Sequence, residues 1–257
     1  MATISAVLIV KNEALVLADC LAALAWVDEI VVLDGGSDDE SVAIAERFTD
    51  KVFVDDDWQG FGVQRQRAQQ HASGDWVFMI DADERVTPEL RQGIEAVVAS
   101  DRQQNIYLIP VLPWCFGRFI RHSGWYPEHK IRLYPRLKAR YGDDRVHEKL
   151  IIDEGMQRQY LKGDLLHFTY RDMRHYLVKS AHYADEWAQS RQQRGRQASL
   201  LQAAVHGAGC FIKMYLVKRG FLDGPQGLLL ALLSAHSTFV KYADLWARNQ
   251  RTTPPQE

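Results

Sequence analysis

Residues 74–84, GDWVFMIDADE, decide how this chain is read. Positions 76–80 are five apolar residues in a row. They lack the polar alternation of a strand that faces water, so they form a strand buried on both faces. The run stops abruptly in Asp81, Ala82, Asp83 and Glu84. Two carboxylates at i and i+2 just past a buried strand can converge on a hard divalent cation. Mg2+ or Mn2+ takes oxygen ligands and keeps places for water and substrate phosphates.

Toward the N-terminus the same kind of run recurs at residues 4–10 (ISAVLIV) and 29–33 (EIVVL), with a shorter one at 51–54. Helical stretches separate them. Residues 12–24 carry Leu15, Leu17, Cys20, Leu21 and Leu24 at helical spacing, 41–48 read as a helix, and 64–72 as a polar one. Pro88, a first-turn residue, opens a helix over 89–99. Strand and helix in alternation imply a parallel, doubly wound sheet, whose ligands sit at the carboxyl ends of the strands. Three polar clusters lie at such ends: Lys11-Asn12-Glu13, Asp34-Gly35-Gly36-Ser37-Asp38 and Asp81-Ala82-Asp83-Glu84. All three are expected to line one crevice.

Residues 105–170 mix short strands, at 106–112 and 130–134, with aromatic and basic residues; from 171 the pattern is helical to the end. The expected organisation is therefore an α/β catalytic domain over 1–170 and a helical extension over 171–257. At 257 residues, 47% apolar and 25% charged, the chain has ordinary globular composition. Cys20, Cys115 and Cys210 are widely spaced and read as reduced core thiols, without a metal knuckle. The opening Met-Ala-Thr-Ile-Ser has neither the basic region nor the cleavage site of a signal peptide, which points to the cytoplasm.

The net charge of −2 conceals an asymmetry. Residues 1–114 carry 8 Lys and Arg against 20 Asp and Glu, whereas 115–220 carry 20 against 10. The basic part suits an anionic partner. No nucleic-acid module or aromatic-basic repeat is found, so nucleic acid is not the expected one.

The order of motifs — a strand ending in KNE, a strand ending in DGGS, Arg65, then GDWVFMIDADE — resembles the inverting family 2 glycosyltransferases of the GT-A fold. More narrowly it is similar to the bacterial lipopolysaccharide core glucosyltransferases of the WaaE type. Trp125-Tyr126-Pro127, Arg132-Leu133-Tyr134, Val146-His147-Glu148 and Gly220-Phe221-Leu222-Asp223-Gly224 extend the likeness more loosely. The resemblance implies a Rossmann-like, mostly parallel sheet flanked by helices, and a nucleotide-sugar donor, a UDP-sugar by preference. It also implies a divalent cation, Mg2+ or Mn2+. Asn12 and Glu13 would border the nucleotide, Asp34 would hold base or ribose, and Arg65 would contact the nucleotide, with Gln66 replacing the family's Asn. Asp81 would bind ribose or share the metal, and Asp83 would ligate it. Gly35 stands where the family has a second carboxylate, which loosens base recognition.

Inverting transfer needs a general base at the acceptor hydroxyl and a stabilised leaving diphosphate. Glu148 is the preferred base, followed by Glu84 and then Asp143 or Asp144. Trp125, with Tyr126 and Trp114, is a candidate for stacking on sugar rings, or else fills a core. The acceptor implied is a lipopolysaccharide inner-core or other cell-envelope saccharide. Over 171–250 basic residues interleave with apolar and aromatic ones, a pattern that fits an anionic membrane surface; the bland alternative is a packed or dimer-forming helical hairpin. Two other functions share the motifs, a nucleotide-binding module without catalysis and a nucleotidyltransferase, but the latter's glycine-rich signature is missing.

Overall fold

The computed structural model describes residues 1–142, 150–170 and 172–250. It divides into two compact units. The first comprises Met1–Val111 and Glu128–His167, and the second Leu112–Pro127 with the chain from Phe168 onward. This differs from the division at 170 expected from sequence, because the segment 112–127 joins the helical part rather than the catalytic one.

The first unit begins as expected. β1 (Ile4–Val10), β2 (Glu29–Asp34), β3 (Val52–Val54) and β4 (Trp76–Met79) pair in parallel in the order β3-β2-β1-β4. They are linked by α1 (Ala14–Ala22), α2 (Ser41–Ala45) and α3 (Phe61–Gln70). Alternate residues of the runs serve opposite faces. Ala6, Leu8 and Phe78 pack on one core with Leu17, Leu21, Leu90 and Ile94. Val7, Val31 and Val77 pack on the other with Ala68 and Tyr134. This two-sided burial is why the runs show no polar alternation.

Beyond β4, antiparallel strands join the parallel core. β5 (Glu84–Val86), α4 (Pro88–Ser100), β6 (Asn105–Cys115), β7 (Arg118–Phe119) and β8 (Glu128–Pro135) follow. Then come β9 (Ala139–Tyr141), β10 (Leu150–Ile152), β11 (Gln157–Tyr160) and β12 (Leu165–Tyr170). The strand order continues β8-β6-β12-β5, with β8 antiparallel to both β4 and β6 and β12 antiparallel to β5. The sheet is thus mixed, parallel on one side of β4 and largely antiparallel on the other. α4 starts as its sequence prescribes: the Thr87 hydroxyl accepts from the Leu90 amide and Pro88 occupies the first turn.

The second unit is built on α5 (Met173–Gln193), α6 (Leu200–Phe211) and α7 (Gly224–Asn249). α6 runs on through a π-helical stretch, Ile212–Val217, to a 3-10 turn, Gly220–Asp223. Cys115, Ile120, Met214, Leu230 and Ala231 form its core. The Gly220-Phe221-Leu222-Asp223-Gly224 phrase has a packing reason. A Cβ on Gly227 would lie 1.9 Å from the Gly220 carbonyl oxygen, so α7 approaches the turn only because that position is glycine. Asp223 is buried and accepts from the amides of Arg121 and His122 and faces His122 Nδ1 at 3.0 Å.

Candidate active site

β1 and β4 are adjacent parallel strands, and the chain leaves β1 toward β2 on one side while β4 lies on the other. That reversal is the switch point at which open α/β sheets bind ligands, at the strands' carboxyl ends. The three polar clusters stand at these ends.

The loops after β1 and β2 are laced together. The Asp34 carboxylate, fully buried, accepts from the amides of Gly36 and Ser37 and from the Ser37 hydroxyl. Ser37 in turn accepts from the Asn12 amide, Asn12 Oδ1 from the Asp38 amide, Ser41 Oγ from the Glu13 amide, and Asp39 from the Ala14 amide. Asn12 sits in the left-handed region at φ 58°, which an Asn tolerates. Asn12, Glu13 and Asp34 therefore come together as expected, but the Asp34 carboxylate organises its own loop rather than projecting outward. Gly36 (φ 81°) has no room for a side chain, since a Cβ would approach Asp56 Cβ to 2.9 Å.

The next loop brings a feature that the sequence reading missed. The Asp55 amide donates to the Asp34 carbonyl, and Arg67 holds Asp55 and Asp57 at 3.0 Å. Above them Trp58 and Phe61 meet edge to face, ring centroids 4.9 Å apart, and both are exposed. The Trp58 ring lies 3.7 Å from where a Cβ on Gly35 would be. Two aromatic residues in an acidic loop directly after a strand were the signal available.

At the end of β4, Asp81 and Glu84 close a tight turn: the Asp81 amide donates to Glu84 Oε2 and the Glu84 amide to the Asp81 carbonyl. The Asp81 carboxylate lies between two guanidiniums, Arg65 at 2.8 Å and Arg132 at 2.5 Å. Arg132 also binds Glu84 at 2.6 Å, and Glu84 is fully buried. Two cations thus balance two anions. Burial alone would raise the Asp81 pKa, but Arg132 and Arg65 outweigh it and hold the carboxyl well below the usual carboxylate range. Burial pushes Glu84 upward, against the pull of Arg132. Cys20 is buried and donates its thiol to the Asp81 carbonyl at 3.5 Å, and burial pushes that thiol up to about 12.

Asp83 is placed differently. Its Oδ2 faces His167 Nε2 at 3.1 Å, and both side chains remain partly exposed. β12 delivers His167 by pairing antiparallel with β5, opposite Glu84. Burial would lower the His167 pKa, but the Asp83 carboxylate overrides it and raises it.

The described residues contain no group of three or more His, Cys, Asp or Glu gathered for a metal. Asp83 and His167 fit a cation that takes two protein donors and completes its shell with phosphate oxygens and water. Each Asp81 oxygen takes one guanidinium, Oδ1 from Arg65 and Oδ2 from Arg132, which leaves lone pairs on both.

Residues 5–169 match Glycosyl transferase family 2. The chain belongs to that family.

The glycosyltransferase has relatives of nearly its own length. A lipopolysaccharide core biosynthesis glycosyltransferase, LpsC of Rhizobium meliloti (strain 1021), is 28% identical over 262 residues, covering 98% of this chain and 95% of that protein. An uncharacterized glycosyltransferase of Rickettsia felis (strain ATCC VR-1525 / URRWXCal2) is 28% identical over 263 residues, covering 95% and 90%. The crystal structure of S. aureus TarS 1-349 in complex with UDP aligns with a TM-score of 0.51 at 14% identity, covering 97% of this chain and 91% of that one, a likeness of fold.

Two further sequence candidates complete the account. Glu148, the expected base, lies outside the described residues, as do His147, Asp143 and Asp144. Trp125 is half-buried against the core of the second unit, its ring 6.2 Å from Tyr170. Part of its surface stays accessible, so both readings of this residue stand. The glycosyltransferase's Arg132 and His167 were not recognised as site residues, since each is brought in by antiparallel pairing with a strand far away in sequence.

Proposed function

We propose that this glycosyltransferase moves a sugar, glucose from a UDP-sugar by preference, onto a lipopolysaccharide inner-core or other cell-envelope saccharide, with inversion and with a divalent cation. The observation that carries the reading is the Asp83–His167 pair beside the arginine-held Asp81 at the sheet's switch point. The UDP complex of the TarS structure and the name of LpsC support the donor and acceptor classes.

Asp83 and His167 would hold Mn2+ or Mg2+. A cation there supplies charge neutralisation for the leaving diphosphate. Arg65 and Arg132 fix Asp81 as an anion in one orientation, suited to accept from ribose hydroxyls. The backbone lacing of Asn12, Glu13 and Asp34 shapes the nucleotide side. Trp58 offers a flat face beside Gly35, so stacking replaces the missing carboxylate in holding the base. Glu148 takes the proton of the acceptor hydroxyl.

The test combines thermal stabilisation by UDP-glucose, with and without Mn2+, and transfer to a core-saccharide acceptor. Asp83→Ala and His167→Ala lose the Mn2+-dependent stabilisation. Glu148→Gln keeps it and loses transfer by about 10²–10⁴-fold, the usual worth of a general base. Full activity in excess EDTA overturns the cation, and full turnover by Glu148→Gln overturns the base.

A further inference from the structure

The second unit turns an apolar stripe outward. Leu201, Val205, Ile212 and Leu216 follow one another at helical spacing along α6 and its π-helical continuation, and each is 50–74% exposed. The opposite side of the same helix is fully occupied. Ala203, Gly207 and Met214 are buried, and a Cβ on Gly207 would lie 3.2 Å from the Ala235 carbonyl oxygen of α7. His206 stacks on Tyr242 of α7, ring centroids 4.2 Å apart. The stripe is thus a finished outer face on a packed hairpin. It ends in the 3-10 turn, where Phe221 and Leu222 are exposed as well.

Charge identifies what covers it. From residue 187 to 222 the sequence has six Lys and Arg and no Asp or Glu. Lys213, Lys218 and Arg219 are exposed beside the stripe, and Arg118 reaches the Leu222 carbonyl at 3.3 Å. An apolar band on a segment whose charges are all basic matches an anionic bilayer, where leucines enter the acyl boundary and lysines meet phosphates. A second copy of the chain is disfavoured, because a two-fold interface would set like charges against each other. Nucleic acid offers phosphates but nothing apolar to cover the band.

The segment Leu200–Val217 has the length and hydropathy to cross a membrane, yet crossing would carry with it the packed α7 and its Lys241, Asp244 and Arg248. The arrangement suits a helix lying in the interface plane. We infer that the Leu201–Val205–Ile212–Leu216 face, bordered by Lys213, Lys218 and Arg219, seats the protein on an anionic phospholipid surface.

The experiment is co-sedimentation of the full chain with phosphatidylcholine vesicles containing about one-third phosphatidylglycerol, against phosphatidylcholine alone. The wild type binds the anionic vesicles, and less so as salt rises. Val205→Glu with Ile212→Glu weakens binding at least about tenfold, since each buries a charge at the acyl boundary. Lys213→Gln with Lys218→Gln, both exposed, weakens it about 25-fold, roughly fivefold per lysine. Circular dichroism melting verifies that both variants stay folded. Equal binding by wild type and the lysine variant, or no preference for phosphatidylglycerol, overturns the inference. A dimer in the absence of lipid that dissociates on Ile212→Glu does so too, and assigns the face to a second copy.

Discussion

Asp34 and Asp81 both stand at the ends of parallel strands at the switch point, yet they are held in opposite ways. Asp34 finds its partners within three residues: two amides and one hydroxyl of its own loop. Asp81 finds guanidiniums 16 and 51 residues away. The first is a carboxylate satisfied by its own turn, its charge spread over local dipoles. The second is a carboxylate that has its site only once β8 has paired with β4. The glycosyltransferase therefore satisfies one strand-end carboxylate from its own loop and the other from tertiary structure.

The comparison breaks most sharply at Arg132. Arg132→Met leaves Glu84 buried without its cation and Asp81 with one guanidinium instead of two. Urea unfolding should show a loss of about 3–5 kcal/mol, the usual cost of stranding a buried charge. Adding Glu84→Gln should recover part of that loss, because the two residues are coupled. A loss below about 1 kcal/mol would mean that the network contributes little to holding Asp81.

Glu29 offers an intermediate case, at the opposite end of β2. It too gathers partners from distant segments: Ser5, Lys51 and Ser73. Burial would raise its pKa, but Lys51, Ser5 and Ser73 together lower it from 4.5 to about 2. A depressed folded-state pKa gives stability that is fully present above the unfolded value near 4.5 and is lost as the pH falls toward about 2. Glu29→Gln should cost about 2–3 kcal/mol at pH 7, and the gap to wild type should close between pH 4.5 and 2. A gap that stays constant over that range would assign the cost to packing instead of charge.

The smallest effect belongs to Asp34. Asp34→Asn keeps an acceptor for the loop amides and loses only charge and the Ser37 bond, so stability should drop by about 1 kcal/mol. The donor KM should rise a few-fold while the acceptor KM holds. A loss as large as that of Arg132→Met would erase the distinction between the two carboxylates.

The same distinction explains what could be read beforehand. The parallel half of the sheet, its connecting helices and the three polar clusters at strand ends were legible because each rests on local pattern: an unbroken apolar run, helical spacing, a proline at a first turn. Asp83 was legible for that reason, sitting directly beyond residues 76–80. Arg132 and His167 were not. His167 lies in an ordinary strand with no local mark, Arg132 in a phrase that carries only a loose likeness, and the role of each depends on which strand stands beside it. The pairing of the antiparallel half was hidden for a related reason, since short strands separated by aromatic and basic residues do not declare their partners.

The amino-acid sequence by itself determined the family, the α/β architecture, the position of the Asp81–Glu84 carboxylate cluster and the basic, apolar character of the helical part. Only the tertiary structure decided that Asp81 is an arginine-held anion, that His167 stands across from Asp83, and that Leu112–Pro127 joins the helical unit. It also decided which face of α6 is packed and which is left outward. Hydrophobic period and turn chemistry act over a few residues and are written in the chain. Charge pairing between strands about 50 residues apart depends on register, and register is fixed only when the whole sheet assembles.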